Sequence, residues 1–365
     1  GFATPTARAD ALPVHQELQS VVPPGTTLDA KVAVGIIRRE TTGGAPLVRY
    51  LGNGAERVAH QPWSSSKVFA VAAAAARLRA LRANLGLDAS EETAEQTQAA
   101  SVGVPSTPLA DLMTIIASYD VNSSRPGVTS NALGAYFHAI GGHAAANDYL
   151  HHVIGAEAGE SFGGNYGEPV PASAGFTLVP GSPPRQPVEI PTDPTPQPPI
   201  SNHMSCLTMA EWLRRIVCVR EEEPRHSGQA AITLAPLTWR DSSAILYGAP
   251  ESSLFPGLQW GGLSMGTDVY VQRGLNLSTI DERSDGRWRI FSKLGAGISS
   301  TAHPGQFEIT LNAYACLPDV KRGEGLEVVL SAAIAAKTDK EADAGMLELV
   351  ANVTTFLRAH YDYAR

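Results

Sequence analysis

Cysteine is scarce in this chain of 365 residues: Cys206, Cys218 and Cys316 are all it carries, with no C-x-x-C pair among them. That is too few for a disulfide framework or a cysteine zinc site. Cys206 and Cys218 flank one predicted helix, which would hold them about 18 Å apart at about 1.5 Å per residue, a poor distance for a bridge. A surplus of basic charge is also missing. The 28 Lys and Arg face 36 Asp and Glu, a formal net charge of −8, so a phosphate-binding surface and a nucleic-acid partner are not expected. No stretch approaches the roughly 18 unbroken apolar residues of a membrane span. The longest candidate, the alanine run after Phe69, is soon interrupted by Arg77, Arg79 and Arg82.

The length suffices for one large domain or two smaller ones around a substantial core. The opening "GFATPTARADALP" has the small-residue A-x-A character of a signal-peptide end without its apolar part, a weak pointer to a secreted or periplasmic location. The stretch "WSSSKVFA" at 63–70 sets three serines and a lysine ahead of a long apolar run. A hydroxyl at i and an amine at i+3 share one helix face, and Ser64 and Lys67 have that spacing. A lysine buried enough to lose its charge can take the serine proton, leaving the serine to attack a carbonyl. The same residues also serve as a capped helix start, because serine is a favoured N-cap.

The order of elements supplies the context. "KVAVGIIR" and "PLVRYLG", joined across a Thr-Gly-Gly turn, read as a two-stranded hairpin ahead of the serines. From Val68 to about Ala83 the chain reads as a helix with a fully buried first half, and residues 106–155 as an α layer. Between Glu168 and Ile200 prolines recur every few residues, which speaks against helix and central strand and for an extended surface excursion. "SCLTMAEWLRRIVCV" resumes a helix. "DVYVQRGLNLSTI", "RWRIFSKLGAG", "QFEITLNAYACL" and "LEVVLSAAIAA" read as strands, and "DAGMLELVANVTTFLRAHY" as a closing amphipathic helix. No internal repeat is visible. The expected architecture is α+β: an antiparallel sheet flanked by N- and C-terminal helices with an inserted α-helical domain. The expected divisions are an N-terminal segment 1–27, an α/β domain from 28–62 and 255–365, and an α-helical domain 63–254 that includes the proline-rich insertion 168–200.

This order resembles the serine β-lactamase and D,D-peptidase (penicillin-binding protein) superfamily, and is most similar to class A β-lactamases, from about residue 28 to the C-terminus. Its S-x-x-K, S-x-N and K-T-G motifs have counterparts in "SSSK" at 64–67, "SYDVN" at 118–122 and "KLGAG" at 293–297. The resemblance implies a β-lactamase/transpeptidase-like fold and an acyl-enzyme on Ser64. Lys67 would be base or proton relay, and Ser118 would pass a proton to the leaving group. Lys293 would supply charge for a substrate carboxylate, and the backbone N–H groups of Ser64 and Ala296, beside Gly295, would form an oxyanion hole. The implied substrate is a small β-lactam, ester or peptidoglycan-like molecule, handled by a monomer without metal or cofactor.

The departures matter as much. Asp120 stands where the S-x-N asparagine belongs, with Asn122 two further on and "SSRPGVTS" looking inserted before Asn131; either Asp120 or Asn122 could point into the cleft. Leu294 replaces the K-T-G threonine, which removes a donor and implies a more apolar site. For the glutamate that activates the deacylating water the candidate is Glu160, with Glu157 and Glu168 competing. "GLSMG" at 262–266 fits a G-x-S-x-G elbow, with His303 and Asp268 or Asp281 as partners, but lacks the strand-turn-helix setting. His138, His143, His151 and His152 have no H-E-x-x-H or carboxylate pair beside them, so they read as solvated or helix-terminal histidines.

Overall fold

The computed structural model describes residues 9–22, 28–39, 46–84, 97–100, 107–118, 129–170, 175–178, 188–219, 237–249, 252, 270–271, 275, 277–300 and 303–361. The β-branched run 29–38 forms β2 (Asp29–Arg38) and pairs antiparallel with β3 (Leu47–Gly52), as its composition predicts. Three C-terminal strands complete the sheet: β8 (Arg289–Ile298), β9 (Phe307–Asp319) and β10 (Glu324–Ala336), and the order is β1-β3-β2-β10-β9-β8. β1 (Val14–His15) is parallel to β3 and makes the sheet mixed. The N-terminal segment thus belongs to the α/β body: Leu18 donates to Gly52 O, and Asn352 Nδ2 donates to Val21 O.

Alternation along the strands divides the interior in two. Val32, Val34 and Ile36 of β2, Ile309 and Leu311 of β9, and Leu330 and Ile334 of β10 point to one face. The C-terminal helix α8 (Asp339–His360) covers them with Met346, Leu349, Val350 and Val353. Thr338 caps that helix through a reciprocal bond pair with Glu341. Ala33, Ile37, Val329 and Ala333 point to the other face, against the α layer.

The α layer is built around α1 (Lys67–Asn84), whose alanines let neighbours approach closely. α3 (Ser130–Gly141) lies along it with Gly134 and Gly141 at the contact. A Cβ on Gly141 would stand 2.8 Å from Ala73 Cβ, and one on Gly134 3.0 Å from Lys67 Cγ. α2 (Leu109–Ser118), α4 (His143–Asp148) running into a π turn 149–154, α5 (Cys206–Val217) and α6 (Trp239–Tyr247) complete it. The buried Trp212 of α5 stacks on Phe69 of α1 with centroids 4.6 Å apart.

Two expectations are corrected. The proline-rich insertion is not wholly irregular: β6 (Gly175–Leu178) and β7 (Val188–Pro191) join β4 (Thr97–Ala100) and β5 (Thr107–Pro108) in a small sheet ordered β5-β4-β6-β7, in which β6 is central. Proline forbids ladder bonds only where it stands, and "GFTL" contains none. The expected strand across 268–280 ends in α7 (Leu277–Ser284), and Ile280 packs on the C-terminal core. So short an apolar run fits either period, and packing decided it. Among the described residues no helix is long and apolar enough to cross a membrane.

Candidate active site

The three serines lie on a 3-10 turn, Trp63–Ser66, that leads directly into α1. With about three residues per turn, Ser64 eclipses Lys67, so the predicted shared face persists. The three hydroxyls are treated differently. Ser65 Oγ donates to Pro62 O at 2.6 Å and lies 3.1 Å from Thr310 Oγ1; Ser66 Oγ donates to Trp63 O at 2.9 Å and contacts Tyr166 OH at 3.0 Å. Both residues are fully buried. Ser64 is half-exposed, and among the described residues its hydroxyl has no hydrogen-bond partner.

The sheet holds this turn from below. Lys293, Gly295 and Gly297 of β8 pair in register with Asn312, Thr310 and Glu308 of β9, so these six share a face. Thr310 Oγ1 donates to Pro62 O at 2.7 Å, Asn312 Nδ2 donates to Ser65 O at 3.0 Å, and Trp63 Nε1 donates to Glu308 Oε2 at 3.0 Å. Trp63 has φ +50°, unusual for a non-glycine residue. The Glu308 bond and the ring's seat on Gly297, where a Cβ would come within 2.5 Å, hold it there. A Cβ on Gly295 would lie 2.7 Å from Pro62 O and from the backbone nitrogens of Ser64 and Ser65. The glycines of "KLGAG" therefore serve the close approach of strand and turn.

Leu294, one residue out of phase, packs toward the C-terminal core. The expectation that it makes the site more apolar is corrected: it faces the opposite side of the sheet from Ser64. Among the described residues β8 is the outer strand of its sheet. Ser299 N donates to Gln306 O at 2.8 Å, and two-residue alternation then turns the Ala296 N–H away from β9.

Lys67 is 1% exposed. Its amine donates to Ser130 Oγ at 2.9 Å and to Asn131 Oδ1 at 2.8 Å, the first two residues of α3. Burial pulls its pKa down to about 7, with the Glu168 carboxylate opposing. Lys293 is equally buried, and burial followed by the charge of Lys67 drives its pKa well below the ordinary lysine value.

The serine that meets the amine is thus Ser130, which the sequence reading missed. Ser118 closes α2, and its side chain, with Asp120 and Asn122, lies outside the described residues. What could have found Ser130 is the "TSN" start of a helix: Thr129 caps α3 by accepting from Ala132 N at 3.1 Å, presenting the next two side chains at the first turn.

The structure gives Glu160 partners at a helix start. Its carboxylate accepts from Ser205 N and Thr208 Oγ1, both at 3.0 Å, at the start of α5, and is 3% exposed. Burial raises its pKa and those bonds oppose the rise. Glu160 is bound to a helix N-terminus and is spent there. Glu168 is the carboxylate in the field of Lys67, and it accepts from Thr129 Oγ1. His303 pairs with Asp29 at 2.5 Å, and Asp281 accepts from Trp288 Nε1; "GLSMG" and Asp268 lie outside the described residues. His138 and His143 lie with ring centroids 4.6 Å apart and planes tilted by 39°, and among the described residues no group of three or more His, Cys, Asp or Glu could hold a metal.

No protein-family model matches the chain, and no curated protein matches it in sequence. Solved structures do match. A structure of PBP-A superposes with a TM-score of 0.51 at 12% identity, over 95% of this chain and 99% of that one. A class A β-lactamase from Mycobacterium abscessus gives 0.47 at 12% identity, over 94% and 98%. The PBP-A superposition and the sheet order together define a β-lactamase/transpeptidase-like α+β fold.

Proposed function

We propose that the chain is a serine hydrolase that forms an acyl-enzyme on Ser64 with a β-lactam or a related amide or ester. The observation that carries this reading is the Lys67 amine, buried, held close to neutrality and bonded to Ser130 and Asn131 one turn beyond the half-exposed Ser64. Lys67 takes the Ser64 proton as Oγ attacks the carbonyl carbon. The N–H groups of Ser64 and Ala296 receive the developing oxyanion. The proton travels from Lys67 through Ser130 to the leaving nitrogen or oxygen, and an anionic substrate group beside Lys293 would raise its depressed pKa and draw its amine into the charged form. Gly295 serves this site by leaving room for the turn. Release of the acyl group requires a water activated by a carboxylate, and Glu168 is the candidate. The reading carries with it an exported monomer that takes a small-molecule or peptidoglycan-like substrate and needs no cofactor.

Treatment of the full chain with a fluorophosphonate or labelled penicillin, followed by peptide mapping, tests this. Label on Ser64, lost in Ser64→Ala and slowed by several decades in Lys67→Ala, is expected. An adduct on another serine, or undiminished labelling of Ser64→Ala, overturns it. A second reading, a D,D-peptidase that acylates and releases slowly, is favoured by the engagement of Glu160 at α5. A penicillin adduct that persists in intact-mass spectra would select it; rapid clearance selects the β-lactamase.

A further inference from the structure

Tyr166 sits directly on Lys67. Its ring centroid is 5.2 Å from the Lys67 amine, and its phenol meets Ser66 Oγ at 3.0 Å. Ser66 spends its only proton on Trp63 O, so the phenol is the donor and the ring is pinned at its far end. On its inner edge the ring fills the space left by Gly134, where a Cβ would stand 2.9 Å from Tyr166 Cδ2 and Cε2. The remaining groups that face the amine are Lys293 from β8, Glu168 from the loop that bears Tyr166, and the neutral Ser130 and Asn131 from α3.

We propose that Tyr166 is a positioning residue that keeps Lys67 dry: its ring plugs the path between amine and water, and the Ser66 bond holds the plug in place. This rests on Lys67 being the base of the proposed acylation. Burial is the largest cause of the lowered Lys67 pKa and outweighs the attraction of an aromatic face for a cation. Removing the ring therefore hydrates the amine, protonates it, and leaves less free base at neutral pH.

A 13Cε-lysine NMR titration of the full chain, with the Lys67 signal assigned from Lys67→Arg, reads this directly. It is paired with fluorophosphonate labelling rates from about pH 6 to about pH 10. Tyr166→Phe keeps the ring but loses its bond to Ser66, and should raise the Lys67 midpoint by much less than removal of the ring does. Tyr166→Ala should raise it by about one pH unit or more, at least about fivefold less free amine at pH 7, with labelling slowed to match and restored near pH 10. Gly134→Ala presses on both the ring and Lys67 Cγ, loosens the contact between them, and should act in the same direction, which supplies a second reading should Tyr166→Ala not fold. An unmoved midpoint in both ring-displacing variants, or a labelling loss that alkali does not restore, overturns the role of Tyr166. If the wild type is not labelled on Ser64, the acylation reading fails by itself, while the NMR midpoints still decide whether Tyr166 governs Lys67.

Discussion

Two glutamates near the same loop have different surroundings, and the surroundings assign their work. Glu160 satisfies the Ser205 N–H and the Thr208 hydroxyl in a buried corner. Removing it strands both donors, so Glu160→Ala should cost about 1–3 kcal/mol in denaturant unfolding. It should leave the lifetime of any acyl-enzyme unchanged, since its oxygens are committed away from Ser64. Glu168 shares its surroundings with Lys67 and Thr129. Glu168→Gln should therefore lengthen the acyl-enzyme lifetime in intact-mass time courses with little loss of stability. The opposite pattern, with Glu160→Ala alone trapping adduct, would return the deacylating role to Glu160.

β8 and the serine turn form a contact in which backbone meets backbone. Gly295 is the closest point, and the atoms a Cβ would meet are Pro62 O and the nitrogens of Ser64 and Ser65, none of which can swing away as a side-chain end can. Gly295→Ala must push the strand or the turn aside. The expected result is about 1–3 kcal/mol of destabilisation from overpacking and about a hundredfold slower labelling of Ser64, the usual effect of displacing a reacting atom by about 1 Å. Gly159→Ala is the control, because a Cβ there has nothing within 4 Å. Equal labelling rates for Gly295→Ala and the wild type would show that the turn's position does not depend on this contact.

His60, His138 and Lys67 are buried with their pKa values held down, and each pushes the pH dependence of stability in one direction. Burial holds His60 and His138 at pKa about 3, against 6.5 when solvated. It holds Lys67 at about 7 against 10.5. In each case the folded pKa lies below the unfolded one, so between the two values the unfolded chain binds more protons and stability rises with pH. The histidines contribute fully above about 6.5 and lose their contribution as pH falls toward about 3. Lys67 adds a further rise between about 7 and 10.5. Urea midpoints should climb from pH 5 through 7 to 9, with slopes of up to about 1.4 kcal/mol per pH unit for each group. Lys67→Met should make the alkaline part of that climb shallower, leaving the share of Lys293. A midpoint that falls between pH 7 and pH 9 would contradict the dry, neutral state assigned to Lys67.

Most of the elements, and the spacing on which the proposed nucleophile rests, were legible in the sequence alone. The β-branched run at 31–38, the strand pattern at 326–336, the helical patterns at 108–120 and 205–219, and the Ser64–Lys67 interval are local patterns, and local patterns follow from backbone period and side-chain shape. The same holds for the glycines of "KLGAG", whose spacing of two places them on one strand face. Tertiary structure decided which side chains completed the site. Ser130, Asn131, Tyr166 and Glu168 lie between 63 and 101 positions from Lys67 and share no period with it. They meet it only because Gly134 and Gly141 let α3 pack on α1 and the 155–170 loop folds back over both. The same packing carried Glu160 to the start of α5 and turned Leu294 to the far core. A residue's type and spacing fix what it can do, but its partner and its share of water are set by the chain that folds over it.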